Sequence, residues 1–455
     1  MLCGASFMAS LDLFIVNVAF DAIGRSFHGV TLADLSWVLN AYAIVYAALL
    51  VPLGRLADRF SRRGGFIVGL VIFTLASVAC AASNGLWMLV TARVLQAAGA
   101  ALLTPTSLGL VVASVLAVRR MAAVRIWAAS GSLAAAAGPV AGGLLLTLSW
   151  RWVFLVNVPI GALALVGALV VLPRSDHRET GPLPDVFGAV LLAIGIASLS
   201  LGLVKGPDWG WTSWRDLLAY AVAVATVGLF MARSVRHHSP VIEPALLKVR
   251  SFASANLAAL AFSVAFAGVL LQVILWMQNV WGYSALRTGL AVAPGPLMVP
   301  VFSMLGQRLS GRISAERLIA AGCVLCALGA VWMLATVGAT PDYAAELLPG
   351  WLIAGAGVGL ALPTLLSSAT VDLPAARAAT GSAVINMSRQ VGSALGVSLL
   401  VAIVGHPVGY LAAHTAFVDG WWTWAALDVF AAVLALATAR RTVRVPDAKP
   451  VLVAH

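Results

Sequence analysis

Charged side chains are scarce in this sequence. Asp, Glu, Lys and Arg make up 10% of its 455 residues, whereas 61% are hydrophobic, and the mean hydropathy is +0.99. A soluble domain carries about 25% charged residues, so this composition excludes one. A membrane-spanning helix needs about 20 mostly apolar residues, and the chain consists of long apolar runs with short polar connections. The sequence therefore predicts an all-α polytopic membrane protein.

Other features are missing too. The four cysteines all lie in apolar runs and indicate no disulfide framework; Cys323 and Cys326, despite their spacing, are interpreted as packing residues within a span. No glycine-rich phosphate loop precedes a Lys-Ser or Lys-Thr pair, which excludes ATP as the energy source. No histidine lies in the middle of a predicted span, and no connection is long enough for a separate active site. We therefore predict a protein that is not an enzyme and has neither a metal site nor a cofactor.

The net charge of +11 comes from scattered basic residues, not from one basic face, so nucleic-acid binding is excluded. Of the 28 Lys and Arg residues, 21 fall in the connections and tails on one side of the predicted spans and 5 on the other, with Arg93 and Arg389 inside spans. The positive-inside rule then places both termini in the cytoplasm. The abundance of Ala, Gly, Val and Leu indicates a bacterial inner (plasma) membrane. The fourteen predicted spans lie near residues 2–22, 35–53, 66–84, 87–112, 124–146, 152–172, 185–204, 217–234, 253–281, 287–307, 316–337, 346–369, 379–404 and 418–439.

A weak internal repeat divides the chain. The segment 306–312 (GQRLSGR) follows the tenth span as 54–59 (GRLADR) follows the second. Equivalent connections in two related bundles of six helices produce this pattern. The predicted units are an N-terminal bundle (1–172), a linker with inserted helices 7 and 8 (173–250), a C-terminal bundle (251–440) and a cytoplasmic tail (441–455).

The connection after the second span combines glycine, a carboxylate and several arginines. Glycine lets a helix end approach its neighbour closely, and the carboxylate binds either an arginine or a helix N-terminus. The same composition also suits a connection that only sets the membrane orientation. The candidate residues of this gate connection are Gly54, Asp58, Arg59, Arg62 and Arg63.

Charges inside spans are costly and are functional candidates. Asp12 lies in the middle of the first span, where it either gains and loses a proton, pairs with a cationic substrate, or forms a static ion pair. Arg93, in the fourth span, either lowers the proton affinity of a nearby carboxylate or binds a backbone carbonyl. Gln96 shares a helix face with Arg93, and Asn17 follows Asp12 in the first span.

The fifth span is rich in small residues, with Gly138, Pro139, Gly142 and Gly143 close together. Small residues permit close contact between membrane helices, and a proline kinks its helix. This pattern alone is common in membrane bundles.

Polar residues also interrupt the second half of the chain. Gln272, Gln278 and Asn279 either bond neighbouring helices or line a cavity. Arg389 is placed in the cytoplasmic third of its span, where it either pairs with another helix or extends to the interface. Asp428, near the middle of the last span, is either a second titratable group or the partner of a polar neighbour.

Several of these segments resemble one known family. The order Gly-x-Leu-Ala-Asp-Arg-x-x-Arg-Arg at 54–63 resembles the signature connection between helices 2 and 3 of the major facilitator superfamily, with serine at 61 where glycine is usual. The segments around Asp12 and Arg93, the Gly-Pro-x-x-Gly-Gly of span five, and residues 380–396 are similar to those of fourteen-helix drug:proton antiporters. The resemblance implies the major facilitator fold: two six-helix bundles plus two inserted helices. It also implies that the gate connection is a cytoplasmic latch, that Arg93 takes part in proton coupling, and that the span-five motif is the one typical of antiporters.

The implied function is proton-coupled efflux of drugs or other small molecules by alternating access. The alternative is a dedicated exporter of one metabolite, such as a self-made antibiotic, a siderophore or an amino acid. The expected partners are the bilayer, protons as the coupling ion, and a small-molecule substrate that is lipophilic or cationic; we expect a monomer. A channel, a receptor or a membrane enzyme would show a repeated pore segment or polar residues clustered at one interface, and neither is visible.

Overall fold

The computed structural model describes residues 1–116, 119–172, 183–405 and 410–437. Their regular structure is helical throughout, with no strand, and fourteen helices are long and apolar enough to cross a membrane. The all-α, fourteen-span prediction is confirmed. The predicted tail at 441–455 and residues 173–182 of the predicted linker lie outside the described residues.

Seventeen helices make up the described residues. Two pairs of helices, α6 with α7 and α12 with α13, each form one span. A π-helical turn at Trp276–Val280 continues α11, and another at Tyr343–Leu347 precedes α15. The helices are α1 (Leu2–Ser26), α2 (Leu32–Phe60), α3 (Arg62–Ala81), α4 (Leu86–Ala113), α5 (Arg120–Leu146), α6 (Trp152–Leu155), α7 (Asn157–Val171), α8 (Val186–Trp209), α9 (Trp214–Arg236), α10 (Pro244–Leu247), α11 (Arg250–Leu275), α12 (Ala285–Val292), α13 (Pro294–Leu309), α14 (Ala315–Thr336), α15 (Leu348–Val371), α16 (Ala375–Val404) and α17 (Tyr410–Leu436).

Successive spans run in opposite directions, so the connections alternate between two ends. We call the end that carries the α2–α3 junction the basic end, and the end that carries the α1–α2 connection the opposite end. We call α1–α7 the first half and α11–α17 the second half. Helices α2 and α16 pack on one another across the halves, and we call this contact the α2–α16 seam. The division of the chain into units at 172 and 250 stays a prediction.

Helix α8 packs beside the α2–α16 seam, and α9 packs on α8. Leu192 and Ile196 of α8 share a core with Ala47 of α2. Asp185 caps α8 by accepting a hydrogen bond from the backbone of Gly188, and it pairs with Arg233 of α9 at 2.8 Å. The inserted helices are therefore joined to each other at the basic end, and α8 lies against both halves.

Several predicted boundaries were wrong at the helix ends. The basic connection is not a loop: α2 continues to Phe60, α3 begins at Arg62, and only Ser61 separates them. The Ser61 hydroxyl accepts a hydrogen bond from the Gly64 backbone at 3.0 Å, so the serine found where glycine is usual is the N-cap of α3. Helix α17 begins at Tyr410 rather than 418, because His414 and Thr415 interrupt the apolar run of its first two turns.

Candidate functional site

The carboxylate of Asp12 is fully enclosed by the first half. The side chain is 0% exposed. One oxygen, Oδ2, accepts a hydrogen bond from Nη1 of Arg93. The other, Oδ1, accepts from Gln96 Nε2 at 2.8 Å and from Asn157 Nδ2 at 3.1 Å. Both oxygens are thus satisfied by donors, as a buried carboxylate requires.

Arg93 is held from several directions. Its Nε donates to the backbone oxygen of Val38 at 3.1 Å, and its Nη1 also donates to Gln96 Oε1 at 2.6 Å. Its guanidinium carbon lies 4.1 Å from the ring centroid of Tyr42. At 1% exposure, this charge is stabilised by the carboxylate, by neutral oxygens and by an aromatic face.

Arg93 therefore contacts a carboxylate and a backbone carbonyl at once, and its role in proton coupling stays a prediction. Asp12, Arg93 and Gln96, chosen from the sequence, form one network. Asn17 is not part of it: its amide donates to Leu13 of its own helix at 2.8 Å, since a spacing of five residues puts it on another face of α1.

The sequence reasoning missed three members of the network. Asn157, at the first residue of α7, binds Asp12, and the Ser77 hydroxyl of α3 accepts a hydrogen bond from Gln96 at 2.9 Å. Tyr42 covers Arg93. Asn157 lies inside the apolar run of the sixth predicted span (152–172), and a polar side chain within a span is the signal that could have identified it.

The glycines of α5 face two different helices. A Cβ atom on Gly138 would lie 2.8 Å from Phe14 Cβ, and one on Gly142 would lie 3.0 Å from Ile15 Cγ1, so both pack against α1 two or three residues beyond Asp12. A Cβ atom on Gly143 would lie 2.7 Å from Leu286 Cα in α12. The motif therefore brings α5 into close contact with the Asp12 helix and with the second half.

Pro139 completes this contact between halves. Its carbonyl oxygen lies so close to Gly289 of α12 that a Cβ atom on Gly289 would overlap it. Nearby, Gln278 Nε2 donates to the Val18 backbone oxygen at 3.2 Å, which makes it a bond between helices of the two halves. A single hydrophobic core at the opposite end includes residues from both halves. We call these contacts the opposite-end seal.

The other glutamine forms a bond within the second half. Gln272 donates to the Phe417 backbone oxygen at 2.8 Å and accepts from Trp424 Nε1 at 2.6 Å. Asn279 is exposed at the opposite end.

At the basic end, the candidate residues of the gate connection have separate roles. Asp58 pairs with Arg62 one helical turn later. Arg63 donates to the Leu169 backbone oxygen of α7 at 3.2 Å. Gly54 packs against Pro105 of α4, to which an added Cβ atom would lie 3.2 Å. These contacts all join helices of the first half.

Arg59 also belongs to this stretch. Its guanidinium carbon lies 5.9 Å from the ring centroid of Phe60, at the last turn of α2.

A residue omitted from the candidates reaches across the halves. Arg55 donates to the Pro240 backbone oxygen at 2.7 Å and to Glu243 at 3.1 Å. The second oxygen of Glu243 lies 3.6 Å from Arg377 of α16. Glu243 therefore links the basic ends of α2 and α16, and we call this group the Glu243 bridge.

Two further candidates lie in the second half. Arg389 is at the middle of α16 and nine residues into its candidate membrane span, Thr380–Val404; its Nη1 donates to Asn386 at 3.1 Å. Asp428 is 5% exposed and lies beside Cys323 and Cys326 of α14. Within the described residues it has neither a hydrogen bond nor an ion pair, and no group of three or more His, Cys, Asp or Glu side chains could hold a metal ion.

Comparison with known proteins identifies the family. The model of the Major Facilitator Superfamily matches residues 2–397. The chain is 31% identical to the methylenomycin A resistance protein of Streptomyces coelicolor, over 91% of this chain and 88% of that one. It is 34% identical to the multidrug resistance protein Stp of Mycobacterium tuberculosis (88% and 74%), and 31% identical to the tetracenomycin C resistance and export protein of Streptomyces glaucescens (91% and 76%).

Solved structures of low sequence identity share the fold. A POT family transporter crystallised with 5-aminolevulinic acid superposes with a TM-score of 0.70 at 18% identity, covering 96% of both chains. An auto-inhibited POT family peptide transporter gives 0.71 at 17% identity, covering 99% of this chain and 98% of that one.

Proposed function

This chain belongs to the major facilitator superfamily, and from that premise we propose that it exports small molecules across the plasma membrane in exchange for protons, by alternating access. Members of this family transport small molecules across membranes, and one of the relatives named above is a tetracenomycin C resistance and export protein. The observation that carries the proton-coupling proposal is the enclosed pair of Asp12 and Arg93, with both carboxylate oxygens occupied.

Arg93 makes protonation of Asp12 feasible. When Asp12 takes up a proton, its attraction for Arg93 falls. The guanidinium keeps the Val38 oxygen, Gln96 Oε1 and the Tyr42 face as partners, so the buried charge is not left without acceptors. Protonation thus leaves the cation with neutral partners that it already contacts, but without its counter-charge.

The protonation site is coupled mechanically to the opposite-end seal. Gly138 and Gly142 pack α5 directly against α1 near Asp12, and Gly143 of the same helix packs against α12. A shift of α1 on protonation therefore moves the helix that closes the two halves. Packed interfaces of this kind switch between discrete arrangements.

The basic end is assigned to the cytoplasm because most Lys and Arg residues of the connections lie there. Both termini then lie in the cytoplasm, the opposite-end seal closes the path to the outside, and the substrate enters from the basic end. A proton entering from outside releases the substrate there, driven by roughly 2.3 kcal/mol per charge for each 100 mV.

Energised inside-out vesicles test this function. Vesicles that contain the native chain are expected to release protons when a transported compound is added, and vesicles without it are not. A panel of lipophilic cations, neutral compounds and organic acids supplies the candidates. Compound accumulation that persists after a protonophore collapses the gradient contradicts proton coupling.

A dedicated exporter is the second candidate. Relatives named for one antibiotic, methylenomycin A and tetracenomycin C, favour it. A single responding compound, with no competition from unrelated ones, supports a dedicated exporter, whereas mutual competition supports broad efflux.

The Glu243 bridge gives a prediction for the basic end. Glu243→Gln removes the carboxylate between Arg55 and Arg377, which are 22% and 47% exposed. Because partly exposed ion pairs contribute only about 0.2–1 kcal/mol each and the bridge contains two of them, we expect the population open at this end to rise by at most about thirtyfold. This population is measured from the distance between spin labels at Phe60 and Val371, which are both exposed near this end.

The control for this prediction is Glu316→Gln. Glu316 lies at the first turn of α14 at the same end, and no ion pair of Glu316 occurs in the part of the chain described. Equal label distances in Glu243→Gln and in the native chain contradict a role of the bridge in closing the basic end.

A further inference from the structure

Arg389 places a positive charge at the middle of a membrane-spanning helix. It is 14 residues from Ala375 and 15 from Val404, the ends of α16. Its candidate membrane span begins at Thr380, nine residues or about 14 Å away at 1.5 Å per residue, which is farther than an arginine side chain reaches along the helix. A charge at this depth is costly and marks a functional site.

The guanidinium of Arg389 is only partly satisfied. Its Nη1 donates to Asn386 of its own helix, and its Nε is buried without an acceptor. Within the described residues, no carboxylate pairs with Arg389 and no protein atom accepts from its Nη2. Nε and one Nη form the side of the guanidinium that binds a carboxylate through two parallel hydrogen bonds.

Arg389 faces the first half across the α2–α16 seam. It lies near Tyr46, the central residue of α2. Tyr46 donates its hydroxyl hydrogen to Thr104 of α4 at 3.0 Å, so its phenol is already committed as a donor. The arginine is half-buried and lies between the two halves, the position of a substrate in an alternating-access transporter.

Three carboxylates of the first half and of the connection between the halves already have basic partners. Asp12 is bound by Arg93, Asp34 by Lys205 and Glu243 by Arg55. Asp428 lies away from the seam, beside α14. The charge available between the halves is therefore positive, and a cationic substrate would find no partner there in this arrangement.

We propose that Arg389 binds an anionic group of the transported substrate, so that the exporter takes organic acids, with Asn386 fixing the guanidinium. This inference rests on the proposed export function, because only an exporter makes the bound anion a transported substrate. An arginine and a carboxylate in a low-dielectric site form charge-assisted hydrogen bonds, which select an acid over its neutral or cationic analogue.

Binding to the purified protein tests the proposal without a proton gradient. The probes share one ring system: tritiated 2-naphthoate, with its methyl ester and 2-naphthylmethylamine as competitors, in a neutral detergent. We expect the native chain to prefer the acid over both competitors by about tenfold or more. Arg389→Gln is expected to lose that preference, and Arg389→Lys to keep it with weaker binding.

Arg25→Gln is the matched control, since Arg25 is an exposed arginine at the end of α1, and it should bind as the native chain does. The lysine variant decides the matter if the glutamine variant does not fold. Four results would overturn the proposal. The native chain could bind the amine more tightly than the acid or bind no naphthoate. Chloride could displace the acid at equal potency, or Arg389→Gln could keep the preference for the acid.

The two proposals fail separately. Arg389-dependent acid binding without compound-driven proton release in vesicles contradicts proton-coupled export and leaves the anion site standing. Proton release driven equally by acids and amines, and unaffected by Arg389→Gln, keeps export and removes the anion site.

Discussion

Asp12→Asn is expected to reduce compound-driven proton release to the level of vesicles that lack the protein. An amide does not exchange a proton at neutral pH, so the coupling group is lost. The substitution also leaves Arg93 without its carboxylate, and removing one partner of a buried ion pair costs about 3–5 kcal/mol. Every partner of Asp12 is a donor, so the new amide nitrogen must face another donor. A lower melting temperature should accompany the loss of coupling.

The double variant Asp12→Asn with Arg93→Gln separates the two effects. It removes both charges, and we expect the melting temperature to recover much of its loss because no unpaired charge remains buried. Coupling should stay absent. Proton release that returns with the melting temperature would show that Asp12 only stabilises the fold.

Gly289→Val is expected to prevent closure of the opposite-end seal. A Cβ atom at this position overlaps the Pro139 carbonyl and would lie 2.9 Å from its carbon and 3.4 Å from Val140 Cα. Backbone atoms of α5 cannot move aside as a flexible side chain does. Overpacking of this kind costs about 1–3 kcal/mol, enough to lower the closed population and transport by about tenfold or more.

Spin labels at Leu148 and Tyr410, both exposed at the opposite end, are expected to separate in this variant. Gly228→Val is the control, because no atom lies within 4 Å of an added Cβ there in α9. Normal transport in Gly289→Val, with label distances like those of the control, rules out the seal as a gate.

The spans could be predicted because lipid requires long apolar helices, and hydropathy records that requirement directly. Helix ends were harder. Helix α1 runs to Ser26 through Asp21 and Arg25, which pair at 2.8 Å one turn apart. Such polar turns extend a helix beyond the membrane, and hydropathy does not detect them because they contain no apolar run.

The site could be predicted only where a charge interrupted a span. Asp12 and Arg93 stood out for this reason and Gln96 because it shares a helix face with Arg93, and the structure brings the three together. Asn157 and Ser77 did not, because their role depends on contacts 145 residues and 19 residues apart in sequence with Asp12 and Gln96. One sequence contains no record of which distant helices meet.

The Glu243 bridge was missed for a related reason. Arg55 was grouped with the arginines of a basic connection, and composition does not distinguish the one that reaches Pro240 and Glu243 across 185 and 188 residues. Arg389 was placed by the length of its predicted span; the helix actually begins at Ala375, which puts this residue at its centre.

The central claim is that Asp12 gains and loses a proton, and infrared difference spectroscopy of the purified protein measures this directly. As the pH is lowered, the account predicts a carboxylic acid carbonyl band that is present in the native chain and in Asp428→Asn, and absent in Asp12→Asn. The Asp428 variant matters because that carboxyl is also buried in the membrane region. A carboxylic acid band that is unchanged in Asp12→Asn and lost in Asp428→Asn would contradict the account and move the proton site to the second half.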